Sequence, residues 1–219
     1  MTRTPARMTL LRACEEGDIE TARSCLDHGA DINEKDTDGR TSLHHVCRFR
    51  GPLALAVLLV DHGADINARD VDKMTPLHTA CKYGDTGVAC LLVERGADVN
   101  VKTIGCFTPL HWACRDGHTD TVRLLLEAGA DMHARSINSH LLPFDFACSN
   151  SLPEAVFLLL SHGADPGMVN YNGRTPLDWA VEALTSNDPG RERIIDWYRE
   201  HHPELVIEAY CAQGPGGVQ

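Results

Sequence analysis

The stretch Thr108-Pro109-Leu110-His111-Trp112-Ala113-Cys114, followed by Gly129-Ala130-Asp131, decides the fold, because both of its motifs recur in step along the chain. Gly-Ala-Asp begins at Gly29, Gly63, Gly96, Gly129 and Gly163, at spacings of 34, 33, 33 and 34 residues. The other motif returns as Thr41-Ser42-Leu43-His44, Thr75-Pro76-Leu77-His78, a degenerate Leu142-Pro143-Phe144-Asp145, and Thr175-Pro176-Leu177-Asp178. A fixed period near 33 residues means one supersecondary unit stacked repeatedly, since a single unit cannot bury its apolar face alone.

Each unit reads as two short helices. Thr108 suits an N-cap and Pro109 the first helical position, where a missing N–H costs nothing. Leu110 and Ala113 give the helix its apolar stripe, and Gly117 ends it. Val122, Leu125 and Leu126 mark a second helix that stops at Gly129, a left-handed C-cap. Turn formers from Ala130 to Leu141 then carry an extended finger to the next unit. The expected fold class is an all-α repeat, an α-solenoid of helix-turn-helix units with β-hairpin-like fingers.

On these residues the chain resembles the ankyrin repeat family, whose pattern is Asp, two variable residues, Gly, one variable residue, then Thr-Pro-Leu-His-x-Ala. Asp70 to Ala80 and Asn170 to Ala180 follow it, and the resemblance runs from about Met8 to His202. Six repeats are expected: 1–31 as an N-terminal cap carrying Glu15, Glu16 and Asp18, then 32–65, 66–98, 99–131, 132–165, and 166–202 with the C-terminal cap. Residues 203–219 form a short tail. In the last repeat, Thr185 to Gly190 reads as a loop, Arg191 to His201 as a polar closing helix, and Glu204 to Tyr210 as one short turn. The pattern lapses at Lys73, Thr103, Cys106 and Leu142, and one extra residue stands near Arg48-Phe49-Arg50 and another near His140-Leu141.

A formal net charge of -11 argues against nucleic acid, which is bound by Lys and Arg neutralising phosphates. It argues equally against an anionic membrane surface, and the run Pro52 to Val60 is too short to span a bilayer. Nine cysteines without the apolar run of a signal peptide fit free thiols in a reducing compartment, cytoplasm or nucleus. No membrane insertion and a monomer are expected.

The pairs His44-x-x-Cys47, His78-x-x-Cys81 and His111-x-x-Cys114 put His and Cys on one helical face. They are one repeat column seen three times, however, and stacked helices lie about 8–10 Å apart, whereas zinc needs four ligands at about 2.0–2.3 Å. The expected reading is a small buried thiol, with the His bonding one finger to its neighbour. His28, His62 and His162 suit helix C-termini, and the column Asp31, Asp65, Asp98, Asp131 and Asp165 suits turns. No convergent acid–base pair, phosphate loop or nucleophile elbow occurs. The expectation is no enzyme, no cofactor and no metal. The resemblance adds that finger Asn residues such as Asn100, with Asn33 and Asn67 in its column, are of the type hydroxylated in ankyrin repeats, although turn propensity explains them as well.

The resemblance also implies where a partner binds: on the concave surface formed by finger tips and the exposed side of the first helices. Of twelve aromatic residues, seven fall on the positions so mapped: Phe49, Tyr83, Phe107, Trp112, Phe146, Tyr171 and Trp179. Aromatic residues and Arg dominate interface hot spots. Met74 and Ile104 add apolar finger positions, and Arg40, Arg48, Lys82 and Arg115 make the surface comparatively basic within an acidic chain. The expected partner is a protein or extended peptide, acidic or mixed in charge with apolar anchors. The chain would act as adaptor, inhibitor or assembly chaperone. The alternative is a recognition subunit of a larger enzyme complex, such as a ubiquitin ligase receptor, with an effector contact in the tail.

Overall fold

Thr9, Thr41, Thr75 and Thr108 each stand in extended backbone immediately ahead of a helix, so the sequence signature does mark the helix starts. This is a computed structural model, and it describes residues 9–137, 140–170, 172–182 and 188–212. The chain divides into two units, residues 1–104 and 105–219. The first holds three helix pairs: α1 (Leu10–Glu16) and α2 (Ile19–Asp27), α3 (Ser42–Phe49) and α4 (Leu53–Asp61), α5 (Pro76–Tyr83) and α6 (Thr86–Glu94). The second holds α7 (Pro109–Asp116) and α8 (Thr119–Glu127), α9 (Pro143–Ser149) and α10 (Pro153–Ser161), α11 (Pro176–Glu182) and α12 (Pro189–His201), then α13 (Pro203–Ala212).

Capping explains why these short helices hold. The backbone N–H groups of Thr41, Thr75 and Thr108 donate to Nδ1 of His44, His78 and His111 at 3.1, 3.1 and 3.0 Å. Such caps contribute about 1 kcal/mol each. Gly17, Gly84 and Gly117 close the inner helices in the left-handed conformation. After α3 the extra residue does the same work, with Arg50 at φ 52. At the outer helix ends the rings of His28, His62 and His162 reach the carbonyls of Ser24, Leu58 and Leu158 at 2.7, 2.8 and 2.9 Å, which satisfies carbonyls that helix ends leave open.

In the first unit the inner helices stack α1 on α3 on α5, and the outer helices stack α2 on α4 on α6. Leu43, Leu55, Leu59, Leu77 and Leu92 are fully buried between the two layers, each contributing about 1.5–3 kcal/mol. In the second unit α7, α9 and α11 stack in the same way beside α8, α10 and α12. There Leu110, Leu125, Leu159, Leu177 and Tyr198 fill the core.

The fingers are hairpin-like in their bonding, with no strand among the described residues. Asp36, Asp70 and Asn170 close theirs by donating N–H to Arg40, Met74 and Arg174, while Ser136 donates to Leu141 across one residue more, as the inserted residue requires. Neighbouring fingers join through Val71 N–H to Asp38 O, and Ile137 N–H to Gly105 O, at 3.0 Å each. The Asp column makes the expected turns, Asp31 and Asp65 accepting from Asn33 and Asn67 at 2.9 and 3.0 Å. The Asn column does something the sequence reading missed: Asn33 and Asn67 Oδ1 accept the N–H of Asp65 and Asp98 in the next Gly-Ala-Asp turn along, at 2.8 and 3.1 Å.

The C-terminal end departs from expectation. The closing helix spans Pro189–His201, with Ile194, Ile195 and Tyr198 buried. In place of one short turn, Pro203 opens the ten-residue α13, which packs on α11 and α12 through buried Val206 and Ala209. Proline at a first helical position starts a helix as readily as it ends one. Of the expected loop at Thr185 to Gly190, residues 185–187 lie outside the described residues, while Asp188 caps α12 and Pro189 and Gly190 already belong to that helix.

Candidate functional site

The first unit presents Phe49 and Tyr83 at the ends of α3 and α5. Phe49 is 50% exposed, its ring stacked at 6.0 Å on His45 with the Arg48 guanidinium 5.8 Å above it. One repeat on, Lys82 Nζ lies 5.6 Å over the half-buried Tyr83 ring. Both cations sit in the last helical turn, where the helix dipole favours them. Met74 is half-buried, while Val71 and Ile104 are exposed at the finger tips. Arg40 is engaged by its own finger and the next: Nη1 donates to Asp38 Oδ2 at 2.5 Å, and Nε lies 3.8 Å from Asp70 Oδ2. His45 and Thr79, which repeat phase also puts on the exposed side of the first helices, are buried. The His45 ring lies between Asp36 and Glu15, at 2.9 and 3.2 Å.

In the second unit the aromatic side chains meet. Phe107 lies 5.7 Å from Trp112 and 5.7 Å from Phe146, with the buried His111 ring beneath at 5.4 Å. All three outer residues stay partly exposed. The Arg115 guanidinium stacks 4.1 Å over Trp112 and is paired with Asp116 at 3.0 and 3.1 Å. Arg174 lies 3.8 Å over the half-buried Trp179. Tyr171 lies outside the described residues. Arg115, like Arg40, is therefore neutralised locally, and the basic excess expected of this surface narrows to fewer groups.

The His–Cys columns are structural where their contacts are seen. His44 Nδ1 accepts from Thr41, so Nε2 carries the proton and donates to Met74 O at 3.1 Å; His111 makes the same contact with Leu141 O at 3.2 Å. Burial lowers the proton affinity of His44, keeping the ring neutral. Burial also pushes the Cys14 thiol up to about 12 and the Cys47 and Cys148 thiols well above their ordinary value. Among the described residues no three His, Cys, Asp or Glu side chains gather as a metal would require, and no helix is long and apolar enough to cross a membrane.

Asp145 escaped the sequence reading. It takes the column of His44 and His111, and its Oδ2 accepts the Leu142 N–H at 2.8 Å, keeping the half of the capping box that those histidines make, while Leu142 has no side-chain oxygen for the other half. Its Oδ1 is buried without a hydrogen bond among the described residues. Burial pushes this carboxyl up to about 6, against the Leu142 N–H and the charges of Arg135 and Arg174. The signal was legible in principle: an Asp in a column of His at a capping position.

Stacked helix pairs and hairpin-like fingers in each unit define a helical repeat protein. The chain belongs to the ankyrin repeat family: residues 10–103 match ankyrin repeats in three copies, and residues 106–137 match a further ankyrin repeat. It is similar to ankyrin repeat and SOCS box protein 16 of Mus musculus, 34% identical over 84 residues. That match covers 35% of this chain and 18% of the mouse protein. Ankyrin repeats are protein–protein interaction modules.

Proposed function

We propose that this chain docks a protein or extended peptide on the face formed by its inner helices and fingers, as an adaptor, inhibitor or assembly chaperone and not as an enzyme. The observation that carries this reading is the Phe107, Trp112 and Phe146 cluster, in which the Phe107 ring centre lies 5.7 Å from each of the other two and all three residues stay partly exposed. A core would bury such rings; a partner covers them, and hot spots of this type cost about 2 kcal/mol or more when truncated. Phe49 and Tyr83, with Arg48 and Lys82, Met74 and Ile104, form the contact in the first unit. Phe107, Trp112, Arg115, Phe146 and Trp179 form it in the second. Arg40 braces its finger at the rim. Arg48 and Arg50 are not ion-paired among the described residues, which favours a partner carrying carboxylates.

The test is capture of cellular partners by the wild-type chain and by a Phe49→Ala, Tyr83→Ala, Trp112→Ala variant, both checked for folding by circular dichroism. Loss of a specific protein from the variant is expected; retention of the same set would move the contact to the outer helices or the tail. A second reading puts an effector contact on α13, where Ile207 is 65% exposed. The mouse relative's name joins ankyrin repeats to a SOCS box, which motivates a ligase-receptor version of it. Ile207→Asp, on the exposed side of α13, abolishes function only under that reading.

A further inference from the structure

Trp112, Phe146 and Trp179 occupy the same position of three successive inner helices, α7, α9 and α11, separated by 34 and 33 residues. Packed helices stand about 8–10 Å apart, so the column offers an aromatic side chain at about that interval. A polyproline II segment rises about 3.1 Å per residue with three residues per turn, repeating one edge about every 9.3 Å. A β-strand repeats a face every two residues, about 6.6 Å, and falls out of step with the column after one repeat. Aromatic grooves bind proline-rich segments because the segment is ordered before it binds.

Charge narrows the partner further. Fingers five and six carry Arg135, His140 and Arg174, and their described residues from Ala134 to Leu141 and from Met168 to Arg174 contain no carboxylate. A cleft of about 280 Å³ opens there, lined by Arg135, His140, Val169 and Asn170. Along the column itself Arg115 is matched by Asp116, and Asp178 accepts the N–H of Thr175. The geometry points to a partner segment in polyproline II conformation, with prolines on the aromatic column and one acidic edge turned to fingers five and six. This rests on the docking reading above and names the chemistry of its partner.

The probe is a peptide of three Pro-Pro-Asp triplets, titrated into the full chain with tryptophan fluorescence and the indole N–H resonances as readouts. Controls are three Gly-Gly-Asp and three Pro-Pro-Lys triplets. Pro-Pro-Asp is expected to bind at least tenfold more tightly than either control, with affinity falling at least tenfold in Phe146→Ala and in Trp112→Ala, and unchanged in Phe49→Ala. Resonance shifts confined to the second unit serve as the check should a variant fold poorly. Equal binding of Gly-Gly-Asp would leave only charge and overturn the conformational claim, and equal binding of Pro-Pro-Lys would overturn the acidic edge. Should no peptide bind while Trp112→Ala still loses its cellular partner, the docking face stands and the proline-rich segment is refuted. Should the peptide bind as expected while partner capture ignores every inner-face substitution, the segment is supported and the broader docking reading fails alone.

Discussion

Replacing Asp145 with Asn should stabilise the second unit, and the gain should grow with pH. The carboxyl is 2% exposed, with one oxygen accepting a backbone N–H and the other lacking a donor among the described residues. Its proton affinity rises from 3.8 to about 6, a difference worth about 3 kcal/mol between the protonated and ionised fold. Because the folded value lies above the unfolded one, the favourable contribution is complete below about pH 4 and is lost as pH rises through about 6. Asn keeps the acceptor for Leu142 and never ionises, so Asp145→Asn should gain about 1–2 kcal/mol at pH 7.5, part of the 3 kcal/mol being withheld by its new buried N–H, and should cost about 1 kcal/mol at pH 4, where that N–H penalty remains and the ionisation gain does not. Asp145→His, which restores the residue type found at His44 and His111, should behave alike above pH 7. Urea titrations of all three chains from pH 4 to 8 measure this. A gap between wild type and Asp145→Asn that stays constant with pH would refute the argument, whatever its sign.

Other outcomes follow from single residues. Lys73 and Cys106 hold φ of 61 and 59, in fingers where Gly39 and Gly173 hold 76 and 72; Lys73→Gly and Cys106→Gly should each add about 1 kcal/mol, read as a shifted urea midpoint. Gly39→Ala should do the reverse, since its Cβ would lie 3.1 Å from Val71 N. Native-state alkylation followed by mass spectrometry should label Cys25, Cys90 and Cys106 while sparing Cys14, Cys47, Cys81, Cys114 and Cys148, which are buried; labelling of the second group at the same rate would contradict the core. Tyr198, fully buried, donates to Pro166 O at 3.2 Å, so Tyr198→Phe should cost about 1 kcal/mol in thermal unfolding.

The helices were legible because their ends are written locally: Thr-Pro at the start and Gly at the stop act through the nearest few backbone groups. Finger turns were legible for the same reason, the Asp side chain bonding two residues on. What depended on a second segment was not. Arg40 reads as a free cation until Asp38 and Asp70 are seen beside it, and His45 reads as exposed until Glu15 and Asp36 close over it. Pro203 shows the limit of a local rule, since proline opens a helix or ends one according to whether an apolar surface, here that of α11 and α12, awaits the residues that follow. The aromatic positions on the inner face came from repeat phase, yet their mutual contact around Phe107 needed the fold.

The Asn33 and Asn67 bonds have a consequence for how such a chain changes over generations. Each starts at one Gly-Ala-Asp turn and ends on the Asp N–H of the next such turn, so donor and acceptor recur with every copy that carries the Asn. A duplication or loss of one whole repeat would therefore leave no bond without its counterpart, and only the two ends of the array would have to be kept. The length of the surface offered to a partner is then heritable in whole steps of one repeat, and an array can be lengthened by copying before any individual residue has been selected.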